Sequence, residues 1–434
     1  MSAAPSRPPL VWVPQYFGAT VFDRRTSRYL PFDGATAALL REAIDTPWFD
    51  LAAREDDAAR RDAMLGLYAH FDPLGFFTLD GTLAATALAV DDVPRDHLLG
   101  PLAVHLEVVA ACNLTCTHCF AGELPRRERP LTLAELDTLF ATLARLGSYR
   151  LGLTGGEPLL RKDLFDILDL ATHHGLHPCL TTNALLVDER IARELGRREL
   201  VWLNVSLDGA TAESNDRVRG AGVFDRVLER IALLRRHARF TLAFTVMKHN
   251  AAEAAACARL AAELGADTAV FRPLYPVGVA REHPSLMPSF DDYVGALDAL
   301  AALDGGGDLR NLEAFGPAQR EALRSGVGNL GCGAGTTVCS ISVSGDVNPC
   351  SFLGGDFDAG NVRTQSFERI WRESEGFRRM RGARFGGGGG CRARSLAFAG
   401  DVEAPDPWLT AREGAPTRPH PLVVLRTRAT ASTS

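Results

Sequence analysis

Three cysteines lie within eight residues of the chain, at Cys112, Cys116 and Cys119. Gaps of three and then two residues separate them, so we expect the three thiols to converge on one point without help from a helix or a sheet. Thiolates bind zinc and iron–sulfur clusters, and a closed site of either kind takes four ligands. Two completions follow from the residues alone. His118 can supply a fourth zinc ligand, or an iron–sulfur cluster can keep one iron open to another molecule.

A second group of cysteines lies near the end of the chain, at Cys332, Cys339, Cys350 and Cys391. Four thiolates make a closed 4Fe–4S site, suited to electron transfer or to structure, and they also suit a structural zinc ion. The remaining two are Cys179, on a predicted strand, and Cys257, on a predicted helix; both are most simply buried apolar thiols. Either thiol can be considered as a donor of hydrogen to a bound substrate only if it faces the interior of the fold.

The elements that position the first cysteine group alternate regularly between strand and helix. Six apolar strands are predicted, at 104–108, 149–153, 177–181, 200–207, 240–246 and 268–271. Helical spacing follows each of them, beginning with the Thr132–Glu135 capping box and ending at 290–303. Such repetition predicts a parallel sheet with right-handed crossovers, and six units make a partial (β/α)6 barrel. Barrels of this type place their sites where the strands end.

The regular alternation of strand and helix does not extend to either end of the chain. Residues 1–9 are predicted to be disordered, and residues 10–90 contain two short strands and then helices. This α+β pattern resembles the small winged-helix domains that recognise peptides. After a glycine-rich linker at 304–308, a hairpin is predicted over 341–349 and a polyglycine loop over 386–390. The tail, 411–434, is predicted to be partly disordered.

The Cys112, Cys116 and Cys119 loop, placed after the first barrel strand, resembles the signature of the radical S-adenosylmethionine (SAM) superfamily. The resemblance implies that these thiolates hold a 4Fe–4S cluster whose open iron is chelated by the amino and carboxylate groups of SAM. It also implies reductive cleavage of SAM to a 5′-deoxyadenosyl radical that abstracts hydrogen from a substrate. Arg219 resembles the arginine that pairs with the SAM carboxylate. The full set of residues that the resemblance assigns to SAM is Gly155, Gly156, Glu157, Asn183, Ser206, Asp208 and Arg219.

The second cysteine group resembles the SPASM/Twitch extension of radical SAM peptide maturases. Full SPASM domains carry further cysteines, including one after an Asp-Pro pair, whereas here Asp406-Pro407-Trp408 is followed by Leu409. The resemblance therefore implies one auxiliary 4Fe–4S cluster, on Cys332, Cys339, Cys350 and Cys391. The predicted domains are 10–90, winged-helix-like; 100–310, radical SAM partial barrel; and 326–410, SPASM/Twitch.

The function implied is modification of a ribosomally synthesised precursor peptide, by crosslinking, epimerisation or excision. An electron donor such as flavodoxin or ferredoxin is the second partner. The alternatives are a radical SAM/SPASM enzyme acting on a tetrapyrrole or quinone precursor, and a non-catalytic, zinc-bound, peptide-binding protein. A net charge of −6 gives no indication of nucleic acid binding. The chain has no apolar run of membrane-spanning length and no signal-peptide core, so we predict no membrane association and a cytoplasmic location.

Overall fold

The structure is a computed structural model that describes residues 7–121, 129–303, 310–311, 332–382, 390–410 and 423–426. The predicted linker at 304–308, nearly all of the polyglycine loop and most of the tail lie outside these residues. The described chain divides into two compact units. The first contains residues 7–100 and 145–147, and the second contains the rest of the sheet and helices described below.

The first unit is a small sheet with three helices. Strands β1, β2 and β3 form an antiparallel meander, and β4 pairs parallel to β1, so the order is β3-β2-β1-β4. Trp48 is fully buried in its core, beside Met64. The bounds are β1, Leu10–Gln15; β2, Gly18–Asp23; β3, Arg28–Asp33; α1, Gly34–Glu42; α2, Trp48–Ala53; α3, Ala58–Phe71; and β4, Ala85–Ala87.

Strands β1 and β2 confirm the two strands that the sequence predicts, but β3 and β4 were not predicted. Strand β3 carries Pro31, which lacks a backbone N–H and argues against a strand in a single-sequence analysis. Its position explains how the proline is accommodated: β3 lies at the edge of the sheet, where one side of the backbone needs no partner.

The second unit contains the six predicted strands, all parallel, in the order β10-β9-β8-β7-β6-β5. The sheet does not close into a barrel. Strand β5 pairs on its other side with β12 (Val338–Ile341), and β10 pairs antiparallel with β15 (Val423–Arg426). The strand bounds are β5, Ala103–Val109; β6, Arg150–Gly155; β7, His177–Thr182; β8, Leu203–Ser206; β9, Thr241–Val246; and β10, Thr268–Pro273.

Helices cover one face of this sheet because alternate strand residues are apolar. Val104, Leu106 and Val108 are each at most 1% exposed, whereas His105 between them is exposed. The helices are α4, Leu133–Arg145; α5, Leu164–His173; α6, Glu189–Gly196; α7, Ala212–Arg219; α8, Val223–Leu234; α9, Ala254–Leu264; and α10, Phe290–Ala301. The predicted capping box is confirmed by hydrogen bonds between Thr132 and Glu135 in both directions. Helix α7 was not predicted.

The C-terminal part contains the predicted hairpin, with Gly345 at its turn in the left-handed region (φ +94°). A group of short helices follows, and Trp371 and Phe377 are fully buried among them. The remaining bounds are β11, Arg310–Asn311; β12, Val338–Ile341; β13, Asp346–Asn348; β14, Gly360–Asn361; α11, Phe367–Glu373; α12, Glu375–Gly382; α13, Arg392–Ala399; α14, Pro407–Thr410; and β15, Val423–Arg426.

Candidate functional site

The three-cysteine loop follows β5 directly and is fixed by backbone hydrogen bonds to three other segments. Thr117 N donates to Val218 O of α7 at 3.0 Å, and Val279 N donates to Cys119 O at 2.9 Å. Glu157 N, beyond the end of β6, donates to Ala111 O at 2.9 Å. The loop is therefore positioned by the carboxyl ends of the strands, as the sequence predicts, and by a helix that the sequence did not reveal.

Two glycines after β6 allow this close approach. A Cβ atom on Gly155 would lie 2.3 Å from Val109 O, and one on Gly156 would lie 2.1 Å from Ala111 O. Gly155 also has a φ of +132°, which side chains rarely adopt. The family resemblance assigns both glycines to the binding of SAM. In the structure, the group they approach is the backbone of the cysteine loop itself.

Glu157 joins the ends of two strands. Its carboxylate is 1% exposed and accepts hydrogen bonds from Thr182 Oγ1 at 2.6 Å and from Asn183 N at 2.8 Å. Burial raises the pKa of Glu157, and these hydrogen bonds oppose that effect. Asn183 continues the connection, because its Nδ2 donates to Asn113 Oδ1 at 2.7 Å in the cysteine loop. The same nitrogen lies 4.0 Å from Cys112 Sγ.

A buried charge cluster lies beside the loop. Asp208 Oδ2 accepts from Arg219 Nε and Nη2, both at 2.6 Å, and lies 3.0 Å from His118 Nε2. Asp208 Oδ1 accepts from Thr245 N at 2.7 Å. Asp208 is fully buried, and although burial acts most strongly to raise its pKa, Arg219 and His118 together hold that pKa well below the usual range. Thus Asp208 has protein donors on both oxygens, and His118 is bound to a carboxylate.

The three thiols lie close enough together to influence one another. Burial raises the pKa of Cys116 to about 11, Arg219 opposes this, and Cys119 and Cys112 add to it. Cys112 is exposed, and the other two are partly exposed. Among the described residues, no group of three His, Cys, Asp or Glu side chains is placed to hold a single metal ion. A 4Fe–4S cube does not require such a placement, since each thiolate binds a different iron.

The four C-terminal cysteines also come together. Cys350 is within electrostatic reach of Cys332, Cys391 and Cys339. Three of the four pack with apolar side chains that include Leu353, Met380 and Val402, and Cys339 is 1% exposed. Burial raises the pKa of Cys391 to about 11.

Asp406 holds Cys391 in place. Its carboxylate accepts from Cys391 N at 2.5 Å and from Arg394 Nε and Nη2 at 3.0 and 2.8 Å. A Cβ atom on Gly390 would lie 2.4 Å from Asp406 Cβ, so the glycine before Cys391 permits this contact. The Asp-Pro segment that ends in Leu409 instead of cysteine therefore retains a structural role at the four-cysteine group.

Three aromatic rings connect the two cysteine groups. Phe120 follows Cys119, and its ring centroid lies 5.5 Å from that of Phe352, two residues after Cys350. Tyr275 stacks on the other side of this contact, with its ring centroid 4.5 Å from that of Phe352. None of these three rings was predicted from the sequence. Phe120 and Phe352 lie near a cysteine in the sequence, but Tyr275 does not, so no signal is common to all three.

Comparison with known proteins agrees with this arrangement. Residues 106–261 match the family model described as the Radical SAM superfamily, and residues 332–393 match the one described as an iron–sulfur cluster-binding domain, SPASM. An AdoMet-dependent heme synthase of Methanosarcina barkeri is 33% identical over 346 residues, covering 72% of this chain and 97% of that protein. The mycofactocin maturase MftC of Mycolicibacterium smegmatis is 32% identical over 361 residues, covering 76% and 89%.

The chain belongs to the radical SAM superfamily. Among solved structures, SuiB of Streptococcus suis bound to its precursor peptide SuiA has the same fold, with a TM-score of 0.65 and 14% identity over 92% of this chain and 98% of SuiB. The cofactors of this radical SAM enzyme are SAM and 4Fe–4S iron–sulfur clusters. When bound, they supply a carbon-centred radical that abstracts hydrogen from the substrate.

The residues present fit these cofactors. The donor set of the first group is sulfur alone, which suits iron–sulfur clusters, and Arg219 provides a cation beside Cys116 and Cys119. The second group supplies four thiols in an apolar surrounding. Ser206, the last residue of β8, is partly exposed at the same end of the sheet. In the part of the chain that the structure describes, no helix is long and apolar enough to cross a membrane.

Proposed function

We propose that this radical SAM enzyme modifies a ribosomally synthesised precursor peptide. The observation that carries the proposal is the separate unit at residues 7–100, which precedes the radical SAM match at 106–261. Its small sheet ends at the edge strand β3, and an edge strand can pair with an extended peptide. We assign recognition of the precursor to this winged-helix-like unit. A peptide substrate is also supported by the PqqA peptide cyclase of Rhodopseudomonas palustris, which is 30% identical over 332 residues.

Within this proposal, Cys112, Cys116 and Cys119 hold the cluster that binds SAM. Cys332, Cys339, Cys350 and Cys391 hold one auxiliary 4Fe–4S cluster. Asn183, Ser206 and Arg219 contact SAM beside Gly155 and Gly156. Glu157 and Asp208 are positioning residues, because their carboxylate oxygens already accept hydrogen bonds from protein donors.

Two further partners and a location belong to the proposal. A flavodoxin or ferredoxin supplies the electron for SAM cleavage, and the enzyme works in the reducing cytoplasm, where nine cysteines stay free of disulfides. The four-cysteine group is suited to accept or relay an electron, because its ligand set leaves no iron open.

The test is anaerobic reconstitution followed by incubation with SAM, a reductant and the peptide encoded beside this gene. We expect about eight irons per chain from two 4Fe–4S clusters, release of 5′-deoxyadenosine, and a mass change in the peptide. Cys112→Ala should abolish SAM cleavage. Cys257→Ala, which removes a buried thiol on α9, is the matched control and should retain it. Bound zinc without SAM cleavage would indicate the non-catalytic peptide-binding protein instead.

The second candidate function is modification of a tetrapyrrole or quinone precursor. The heme synthase of Methanosarcina barkeri favours it, since that relative has comparable identity over 72% of this chain. Incubation of the same preparation with a tetrapyrrole substrate separates the two functions. A product from the tetrapyrrole, with an unchanged peptide, would replace the peptide assignment.

A further inference from the structure

The concave face of the sheet, which we call the lumen, carries the side chains that point away from the helices. His105, Gly152 and Cys179 lie in register on β5, β6 and β7, so they share this face. His105 is exposed and Cys179 is partly exposed, whereas their neighbours Leu106 and Leu180 are buried on the opposite face. Solvent therefore reaches into the lumen at this level.

Two arginines enter the lumen from distant strands. Arg150 lies two residues before Gly152 and so faces the same way, while Arg272 is on β10, at the far end of the parallel run. Although solvent reaches His105, desolvation by the surrounding protein, Arg272 and Arg150 together lower its pKa to about 4. Burial raises the pKa of Cys179, and the same two arginines oppose that effect. Arg272 lies between the buried residues Phe271 and Pro273 on β10, so its side chain faces away from the helices, as that of Arg150 does.

Neither arginine has an acidic partner in the described parts of the chain. Arg272 makes no side-chain hydrogen bond or ion pair there, and Arg150 lies over the ring of Trp202, 4.8 Å from its centroid. By contrast, Arg161 and Arg198, elsewhere on the same unit, are each bound to an aspartate. Desolvation lowers the pKa of Arg272 although solvent reaches the side chain, as expected for a cation enclosed in a recess.

Arg150 also lowers the pKa of Arg272, because the two like charges repel each other, and an anionic ligand between them would relieve that repulsion. The planar guanidinium group matches a carboxylate through two parallel hydrogen bonds. His105 adds a polar group at the same level, with its Nδ1 3.3 Å from Ser351 Oγ.

We propose that Arg150 and Arg272 form a subsite in the lumen that binds a carboxylate group of the substrate. The inference rests on the proposed function in taking that substrate to be the precursor peptide. The carboxylate then belongs either to the C-terminus of the peptide or to an Asp or Glu side chain. In both cases, the arginines anchor one end of the residue that enters the lumen, beside Cys179.

The thiol of Cys179 provides a readout from inside the lumen. The reconstituted enzyme is treated with iodoacetate, which carries a carboxylate, or with neutral iodoacetamide, and labelling of Cys179 is quantified by peptide mass spectrometry. The ratio of the two rates cancels the accessibility and pKa of the thiol. Arg272→Gln and Arg150→Gln should each lower the ratio by roughly three- to tenfold, the lower end of electrostatic focusing in clefts. Arg272→Lys, which keeps the charge, should retain most of it.

Arg369→Gln is the matched control, because Arg369 is exposed on α11 and paired with Glu373; it should leave the ratio unchanged.

N-acetylalanine and N-acetylaspartate α-amide present a terminal and a side-chain carboxylate respectively, and whichever slows labelling more identifies the source. N-acetylalaninamide, which has none, should not slow it. An unchanged ratio in both glutamine variants, or equal protection by the amide, would overturn the subsite. If Cys179 resists both reagents, titration calorimetry with N-acetylalanine replaces labelling, and equal affinity in wild type and Arg272→Gln would refute it.

This readout requires neither SAM cleavage nor a peptide. If the subsite does not exist, the ratio of the two labelling rates of Cys179 will not depend on Arg272. Failure of the peptide assignment would leave that dependence intact and remove only the mass change in the peptide.

Discussion

Replacing Asp208 by asparagine is expected to destabilise the second unit, because the change leaves Arg219 buried without a counter-charge. Asp208 is fully buried, Arg219 is 9% exposed, and the two make a pair of 2.6 Å contacts. Breaking such a pair by removing one partner costs about 3 kcal/mol. At about 2 °C per kcal/mol for a large domain, Asp208→Asn should lower the midpoint of thermal unfolding of the apoprotein by roughly 6 °C.

A double-mutant cycle separates the pair from its surroundings. Arg219→Gln should cost a similar amount, and Asp208→Asn with Arg219→Gln should cost less than the sum by at least about 1 kcal/mol. Because the pKa of Asp208 is held low, its contribution is complete above the ordinary aspartate pKa of about 4 and is lost only as the pH falls below that value. The difference in midpoint between wild type and Asp208→Asn should therefore shrink as the pH falls below about 4. An unchanged midpoint in Asp208→Asn, or strictly additive effects, would refute the reasoning.

Three further predictions concern the two cysteine groups and the ion pair between Glu135 and Arg363. Cys350→Ala should lower the iron content of the reconstituted enzyme from about eight to about four per chain while SAM cleavage persists, as iron analysis and 5′-deoxyadenosine release would show. Gly156→Ala should displace the cysteine loop and prevent loading of its cluster, measured by iron content, whereas Gly295→Ala, whose Cβ would meet nothing within 4 Å, should load normally. A hydrogen bond from Arg363 lowers the pKa of Glu135 to about 2, so Glu135→Gln should reduce the unfolding midpoint above about pH 5. That difference should shrink as the pH falls from the ordinary value of 4.5 toward 2, and a difference that persisted in acid would contradict the assignment.

The parallel sheet was predictable because its strands are apolar on the helix-covered face and the helices between them are amphipathic. Helix α7 escaped the same reasoning, since the residues it buries include Ser214, Asn215 and Arg219 and thus show no apolar period. Its one sequence signal was Thr211, which caps the first turn. The helix matters because it carries the arginine beside the cysteine loop and accepts a backbone hydrogen bond from that loop.

The types of the site residues could be predicted, but their partners could not. Glu157 and Asp208 both end strands and both resemble SAM contacts, yet each carboxylate accepts from donors many residues away, including Asn183 N and Thr245 N. Contacts between loops that are distant in sequence leave no periodic trace in a single chain. The same is true of Arg272, which lies across the lumen from His105 although 167 residues separate them in sequence.

The two cysteine groups differ in their surroundings, in line with the proposal that only the first binds a further ligand. Cys112 is exposed and its two companions are partly exposed, so the first group keeps solvent access, and the charges that act on it, Arg219 and Asp208, are paired with each other. The second group lies in apolar packing, and its charges, Arg394 and Asp406, neutralise each other. Leu409 removes the cysteine that a full SPASM domain would place after the Asp-Pro pair, but Asp406 still fixes the backbone of Cys391. The support that Asp406 gives to Cys391 therefore does not depend on a cysteine at position 409.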